Sequence, residues 1–180
     1  MLIISIMRIN AQKQSGATLP ELMISAVLIA VFFASMFEVN AVCLRYVEAS
    51  KEAVSAIQGV QDRLETLRNM AFSDLTEPND VKALMVNPSN VSDLARRVTE
   101  TVTITAYDTD SAVGGTIGAP VVITRPAGAT STPSISGSST SIATANAVLV
   151  EVRYDWAATL AGGRFRSERT SSIISAGVKK

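Results

Sequence analysis

The stretch Ser15-Gly16-Ala17-Thr18-Leu19-Pro20-Glu21, followed by the apolar run Leu22-Met23-Ile24-Ser25-Ala26-Val27-Leu28-Ile29-Ala30-Val31-Phe32-Phe33-Ala34-Ser35-Met36-Phe37, organises the rest of the chain. The run holds 16 residues without a charge. With Ala17 to Leu19 before it and Val39 to Leu44 after it, the segment reaches the roughly 20 apolar residues needed to cross a bilayer core. One carboxylate, Glu21, sits at its leading edge, and a Gly-Ala junction lies four residues earlier.

Residues 1–16 carry Arg8 and Lys13 and no acid. They read as a leader to be set apart from the fold. The opening Met1 to Ile6 is apolar, and a shorter leader, Met7 to Gly16, places the expected translation start at Met7. Basic residues before an apolar span keep that end cytoplasmic, so the chain beyond Phe37 is expected to face outward. A secretory signal peptide is the competing reading, because Val39-Asn40-Ala41 offers small residues at −3 and −1 of a cleavage site. Cleavage after Ala41 would release a soluble protein expected to lack the helix altogether. Against it, the apolar run exceeds the usual 7–15 residues of such a region, and Glu21 has no use there.

Pro20 costs about 3 kcal/mol in a helix interior but little in the first turn, whose N–H groups have no acceptor. A helix expected to start at Ala17 tolerates it. Before cleavage its ring would meet the Gly16 carbonyl and hold the flexible glycine out of the helix. A carboxylate inside a span costs roughly 2.5–3.5 kcal/mol, so Glu21 needs a partner. Cleavage would place an amine on Ala17, one helical turn away at the positive end of the helix dipole. The plainer alternative is that Glu21 caps the helix at the membrane interface.

The series Gly16, Thr18, Leu19, Glu21 resembles the processing motif of type IV prepilins and type II secretion pseudopilins. Ala17 stands where the family usually has Phe, a position at which its peptidases tolerate variation, and Pro20 where it often has Ile or Val. The resemblance covers residues 8–70. It implies cleavage between Gly16 and Ala17 by a prepilin peptidase and N-methylation of Ala17. It also implies pairing of Glu21 with the amine of a neighbouring subunit, with Thr18, Leu19 and Pro20 completing the motif. The expected product is a structural filament subunit of a pilus or secretion filament. Inserted in the bacterial inner membrane with its C-terminal domain periplasmic, it would have other pilin subunits as partners. Within the family it resembles pilin-modification (PilV-like) or pseudopilin I/J-like subunits. A major pilin often carries a C-terminal disulfide loop, and Cys43 is the sole cysteine here. A non-polymerising, membrane-anchored binding domain is the rival from another class.

From Val39 to about Met70 a one-sided helical pattern follows. Val39, Cys43, Tyr46, Ala53, Ile57, Leu64 and Leu67 form an apolar stripe widened by Val42, Val54 and Val60. Arg45, Glu48, Lys51, Glu52, Asp62, Arg63, Glu65 and Arg68 are expected on the opposite side, and Gly59 to permit a bend. Cys43 is expected to be a small buried hydrophobe, since Asn40-Ala41-Val42 is no lipid-attachment signal. Residues 72–90 read as a connection with one turn of helix at Val81 to Met85. Strands are expected over 97–108, 120–124, 147–156 and 164–174, the last two joined at Ala161-Gly162-Gly163. Residues 125–146, rich in Ser, Thr, Ala and Gly, read as a long exposed loop.

The predicted fold is therefore α+β, a long N-terminal helix on a C-terminal antiparallel sheet. Its parts are a leader (1–16), a membrane or assembly half (17–38), an amphipathic half (39–70) and a sheet domain (71–180). Charge balances at 16 basic and 16 acidic residues. Loss of the leader leaves 14 against 16, a net −2. Nothing there calls for nucleic acid. Histidine is absent, which rules out a His-based zinc site or a Ser-His-Asp triad. No enzyme and no cofactor is read from the sequence.

Overall fold

A 51-residue helix, α1 (Leu19–Asn69), is the first element of the computed structural model, which describes residues 18–108, 115–128, 131–138, 140–158 and 163–177. Gly16, Ala17, the rest of the leader and the Ala161-Gly162 part of the expected turn lie outside the described residues. The chain divides into two compact units, one ending at Leu44 and one running from Arg45.

In the second unit three short helices follow α1: α2 (Phe72–Leu75), α3 (Pro78–Leu84) and α4 (Asp93–Arg97). In place of the single turn expected within 72–90 stand α2 and α3, and α4 runs to Arg97, where the first strand was expected to begin; α3 and α4 each have a local cause. Pro78 occupies the first turn of α3, where its fixed φ suits a helix and its missing N–H is not needed. Ser92 caps α4, its hydroxyl oxygen accepting the Ala95 N–H at 3.1 Å.

The strands are β1 (Thr99–Asp108), β2 (Gly115–Arg125), β3 (Ser134–Ser136), β4 (Ala147–Ala157) and β5 (Phe165–Ser175). They form one antiparallel sheet in the order β3-β2-β1-β4-β5. The predicted α+β architecture is thus observed. Val102 faces Ile123 on one side and Val152 on the other, so like-sided residues stack across the sheet. Val102, Ile104, Val150, Val152, Tyr154 and Trp156 are buried together with Ala56, Val60, Leu64 and Leu67 of α1.

The stretch 125–146 is not simply a solvated loop. It holds β3 and a helical turn, α5 (Thr140–Ala143), and fully buries Ile142. Ile135 packs partly on the same core. Gly137, at φ 96, passes so near the Pro120 carbonyl oxygen that an added Cβ would lie 2.2 Å from it.

The buried stripe of α1 is narrower and later than expected: Ala56, Gly59, Val60, Arg63, Leu64 and Leu67. Val39, Val42, Cys43, Tyr46, Val54 and Ile57 are exposed. Gly59 is needed for clearance, because a Cβ there would lie 2.6 Å from the Tyr154 ring. The helix runs through it without a break.

Candidate functional site

The motif residues form the start of α1. The Thr18 carbonyl accepts the Leu22 N–H at 3.1 Å, which makes Thr18 the N-cap and Leu19, Pro20 and Glu21 the first turn. Thr18 is a favoured residue for that cap. Pro20 stands where a missing N–H leaves no bond unmade, as expected. Glu21 folds back so that its Oε2 accepts the Thr18 N–H at 3.4 Å, the carboxylate half of a capping box. That distance is longer than the usual range of about 2.7–3.2 Å, so the contact is loose.

From Leu22 to Phe37 the helix is apolar all round, and Glu38 ends the run. Its most apolar 18-residue window has a mean hydropathy of 2.3 and none of it is buried. Phe32 is 64% exposed and Phe33, the least exposed large apolar residue of the run, is still 51% exposed. A core helix of a globular protein would be covered. The polar groups within the run are satisfied locally: the Ser25 hydroxyl donates to the Glu21 carbonyl at 2.8 Å and that of Ser35 to the Val31 carbonyl at 2.6 Å. Such a helix is long and apolar enough to span a membrane, and both hydroxyls of its apolar run are bonded within it.

A cut after Ala41 would not remove the helix, contrary to the expectation for a secreted product. Val42–Asn69 would remain, with every buried residue of α1 between Ala56 and Leu67.

Sequence patterning missed a second constellation, in the Arg45-to-C-terminus unit. Arg63, expected on the solvent side, is buried, and so are Glu100 and Arg125. Arg63 Nε meets Glu100 Oε1 at 2.5 Å and Arg125 Nε meets Glu100 Oε2 at 3.0 Å. Arg63 also donates through Nη1 to the Leu84 carbonyl at 3.3 Å and through Nη2 to that of Asn87 at 2.6 Å. Arg125 Nη2 donates to the Ala95 carbonyl at 2.6 Å. One carboxylate thus gathers α1, β1, β2 and the connection between helix and sheet. Signals for it were present. Glu100 shares the inward parity of Val98, Val102 and Ile104, Arg125 that of Val121 and Ile123, and Arg63 falls between Val60 and Leu67.

Tyr154 lies beside this cluster, across the β1–β4 ladder from Glu100, with its hydroxyl hydrogen-bonded to the Ser89 hydroxyl. Burial, and then the Glu100 charge, push its phenol up to about 12. With its acceptors and donors already engaged, the cluster works as a clamp.

Comparison of the chain with protein families, with curated proteins and with solved structures returns no match.

Proposed function

We propose that the chain is a minor pilin or pseudopilin, a structural subunit that enters a type IV pilus or type II secretion filament through its N-terminal helix. One observation carries this reading: an apolar helix, uncovered over its most apolar 18 residues, is headed by Gly16-Ala17-Thr18-Leu19-Pro20-Glu21 and continues into a sheet domain. Prepilin peptidase would cut between Gly16 and Ala17 and methylate the new amine. Before assembly the helix would lie in the bacterial inner membrane with the sheet domain periplasmic. In the filament, neighbouring helices would replace lipid, and Glu21 would set the stagger by pairing with a neighbour's Ala17 amine. The loose contact to Thr18 supports this role, because a cationic amine is the stronger partner for a carboxylate.

The same contact favours a second reading, a membrane-anchored domain that never polymerises, in which Glu21 is only a cap. Mass spectrometry of the mature N-terminus, in hosts with and without prepilin peptidase, separates the readings. A peptidase-dependent N-methyl Ala17 is expected. An uncleaved Met1 or Met7 would establish the anchored domain, and an N-terminus at Val42 a secreted one.

A further inference from the structure

The unit that starts at Arg45 is electrically lopsided, and its own contacts fix which end is which. Arg97, at the close of α4, meets Glu52 of α1 at 3.7 Å, whereas Glu100 meets Arg63 and the Tyr154 ring lies against Gly59. Thr99 faces Asp155, and Ala157 faces Phe165. The Ala158 N–H donates to the Arg164 carbonyl at 3.0 Å, and the Gly128 N–H to that of Arg96 at 2.9 Å. The start of β1, the end of β4 and the start of β5 therefore lie where the chain enters the unit, and β1 finishes at the other end.

The entry end is basic. Arg96, Arg164 and Arg166 are exposed there and form no ion pair among the described residues. Two carboxylates of that end are already engaged, Glu52 with Arg97 at 3.7 Å and Asp155 with Arg153 at 2.7 Å. Over residues 93–97 and 153–169 six arginines stand against Asp93, Asp155 and Glu168, a net +3, and residues 45–52 of α1 add two charges of each sign. Phe165, 87% exposed, follows Arg164 and precedes Arg166. The far end has the opposite sign. There Asp74, Glu77, Asp80 and Asp108 stand against Lys82, and Arg68 is held by Glu65.

A basic rim around an exposed aromatic ring suits an anionic lipid surface, where guanidinium groups meet phosphates and the ring enters the interface. The apolar run brings such a surface to this end and not to the other. About 20 residues cross a bilayer core, so with Glu21 at one face the other falls near Ala41. Glu52 comes eleven residues later, about 16 Å along a helix. Headgroups fill about 5–7 Å of that distance, and the field of an arginine reaches about 8 Å further at physiological salt. The acidic end of a second copy would answer the charges as well, but the bilayer is tied to them covalently in every chain.

We infer that the rim of Arg96, Arg164 and Arg166, with Phe165, is a docking surface for anionic phospholipid headgroups, which seats the sheet unit on the bilayer that holds its own helix. The inference rests only on the apolar run lying in a bilayer, a premise common to the filament and the anchored readings.

Fluorescence of the full chain in vesicles tests it. In a Cys43→Ser background a fluorophore is attached at Ser167→Cys, two residues from Phe165, or at Ser73→Cys in α2, near the acidic end. Flotation with the vesicles reads insertion separately, and a chain that did not float would overturn the premise and the proposal together. A nitroxide carried on the lipid headgroup is expected to quench the label at 167 in phosphatidylcholine mixed with phosphatidylglycerol. Little quenching is expected in phosphatidylcholine alone, in molar salt, or at position 73. Each arginine at an anionic surface is worth about fivefold, so Arg164→Glu with Arg166→Glu should lower docking at least about twenty-fivefold, while Arg164→Lys with Arg166→Lys retains it. Quenching equal in the two lipids, indifferent to salt, or equal at 167 and 73 would overturn the proposal. Shielding of the 167 label from acrylamide that rises with the chain-to-lipid ratio, and not with phosphatidylglycerol, would assign the rim to a second copy and overturn it too.

Discussion

Replacing Glu100 by Gln removes one negative charge from a buried site that holds two arginines, and leaves the shape almost unchanged. The cluster goes from one net positive charge to two, with Arg63 and Arg125 both still out of water. Breaking a buried ion pair by removing one partner costs about 3–5 kcal/mol, because the remaining charge is uncompensated. A domain of this kind has about 5–15 kcal/mol in total, so the variant is expected to be severely weakened. At a urea dependence of about 2 kcal/mol per molar, the unfolding midpoint falls by roughly 2 M. Trp156, the single tryptophan and only 5% exposed, reports the transition by its fluorescence in the full chain held in detergent.

The companion variant is Arg63→Met, Glu100→Leu, Arg125→Met. Removing all three charges avoids their desolvation, which in comparable clusters is neutral or stabilising by about 1–4 kcal/mol. Here, however, the Leu84, Asn87 and Ala95 carbonyls would lose their donors, at about 1 kcal/mol each. The two effects offset, and the triple variant is expected within about 2 kcal/mol of the parent. A Glu100→Gln loss below about 1 kcal/mol would mean that water reaches the charges. A triple variant weaker than Glu100→Gln would show the cluster to be net favourable. Either result refutes the argument from desolvation.

Gly59→Ala improves helix propensity by up to about 1 kcal/mol, yet it drives a methyl into the buried Tyr154 ring. Overpacking of about 1–3 kcal/mol wins, and the urea midpoint is expected to fall. Tyr154→Leu should relieve Gly59→Ala, a coupling measurable by a double-mutant cycle. Because Tyr154 titrates near 12 when folded and near 10 when unfolded, the native state keeps a proton that the unfolded state has lost in between. Stability should therefore fall by roughly 2 kcal/mol as pH rises from about 10 to 12, and Tyr154→Phe should flatten that part of the profile. Glu21→Gln should leave membrane insertion intact and cut filament incorporation at least about tenfold; equal incorporation of the two proteins would reduce Glu21 to a cap.

The helix, β1 and the inner face of β4 were legible because each rests on a long periodic pattern, whereas of β2 only Pro120 to Thr124 were expected and the strand begins at Gly115. Val148, Val150, Val152, Tyr154 and Trp156 alternate with outward Glu151, Arg153 and Asp155, and the structure buries the first set. Reading failed where a rule of thumb met a local exception. Sorting charges to solvent hid Arg63, although its position repeats the spacing of Ala56, Val60 and Leu67. Composition hid β3 and α5, although Ile135 and Ile142 are the large apolar residues of that polar stretch. Apolarity alone does not say what covers a face, so the stripe from Val39 to Tyr46 reads as packing on the sheet. In this chain those residues are uncovered. The short helices α3 and α4 depended on single start residues, Pro78 and Ser92, rather than on periodicity.

The uncovered helix decides what kind of environment the chain requires. Eleven large side chains between Leu22 and Phe37 are each 51–72% exposed. Full burial of such a side chain is worth about 1.5–3 kcal/mol, so leaving them in water forgoes an amount that rivals or exceeds the whole stability of a domain. Some apolar phase must cover them, and both lipid and packed protein would serve. Glu21 distinguishes the two. At the interface of a bilayer its carboxylate stays hydrated and its loose bond to the Thr18 N–H suffices. Inside a bundle of helices it loses that water, and a buried carboxylate is tolerated only with a cation beside it. A chain that stayed in lipid would thus be indifferent to Gln at position 21, whereas one that exchanges lipid for neighbouring helices would depend on the charge. The polar head of the helix, more than its apolar length, is where anchoring and assembly part company.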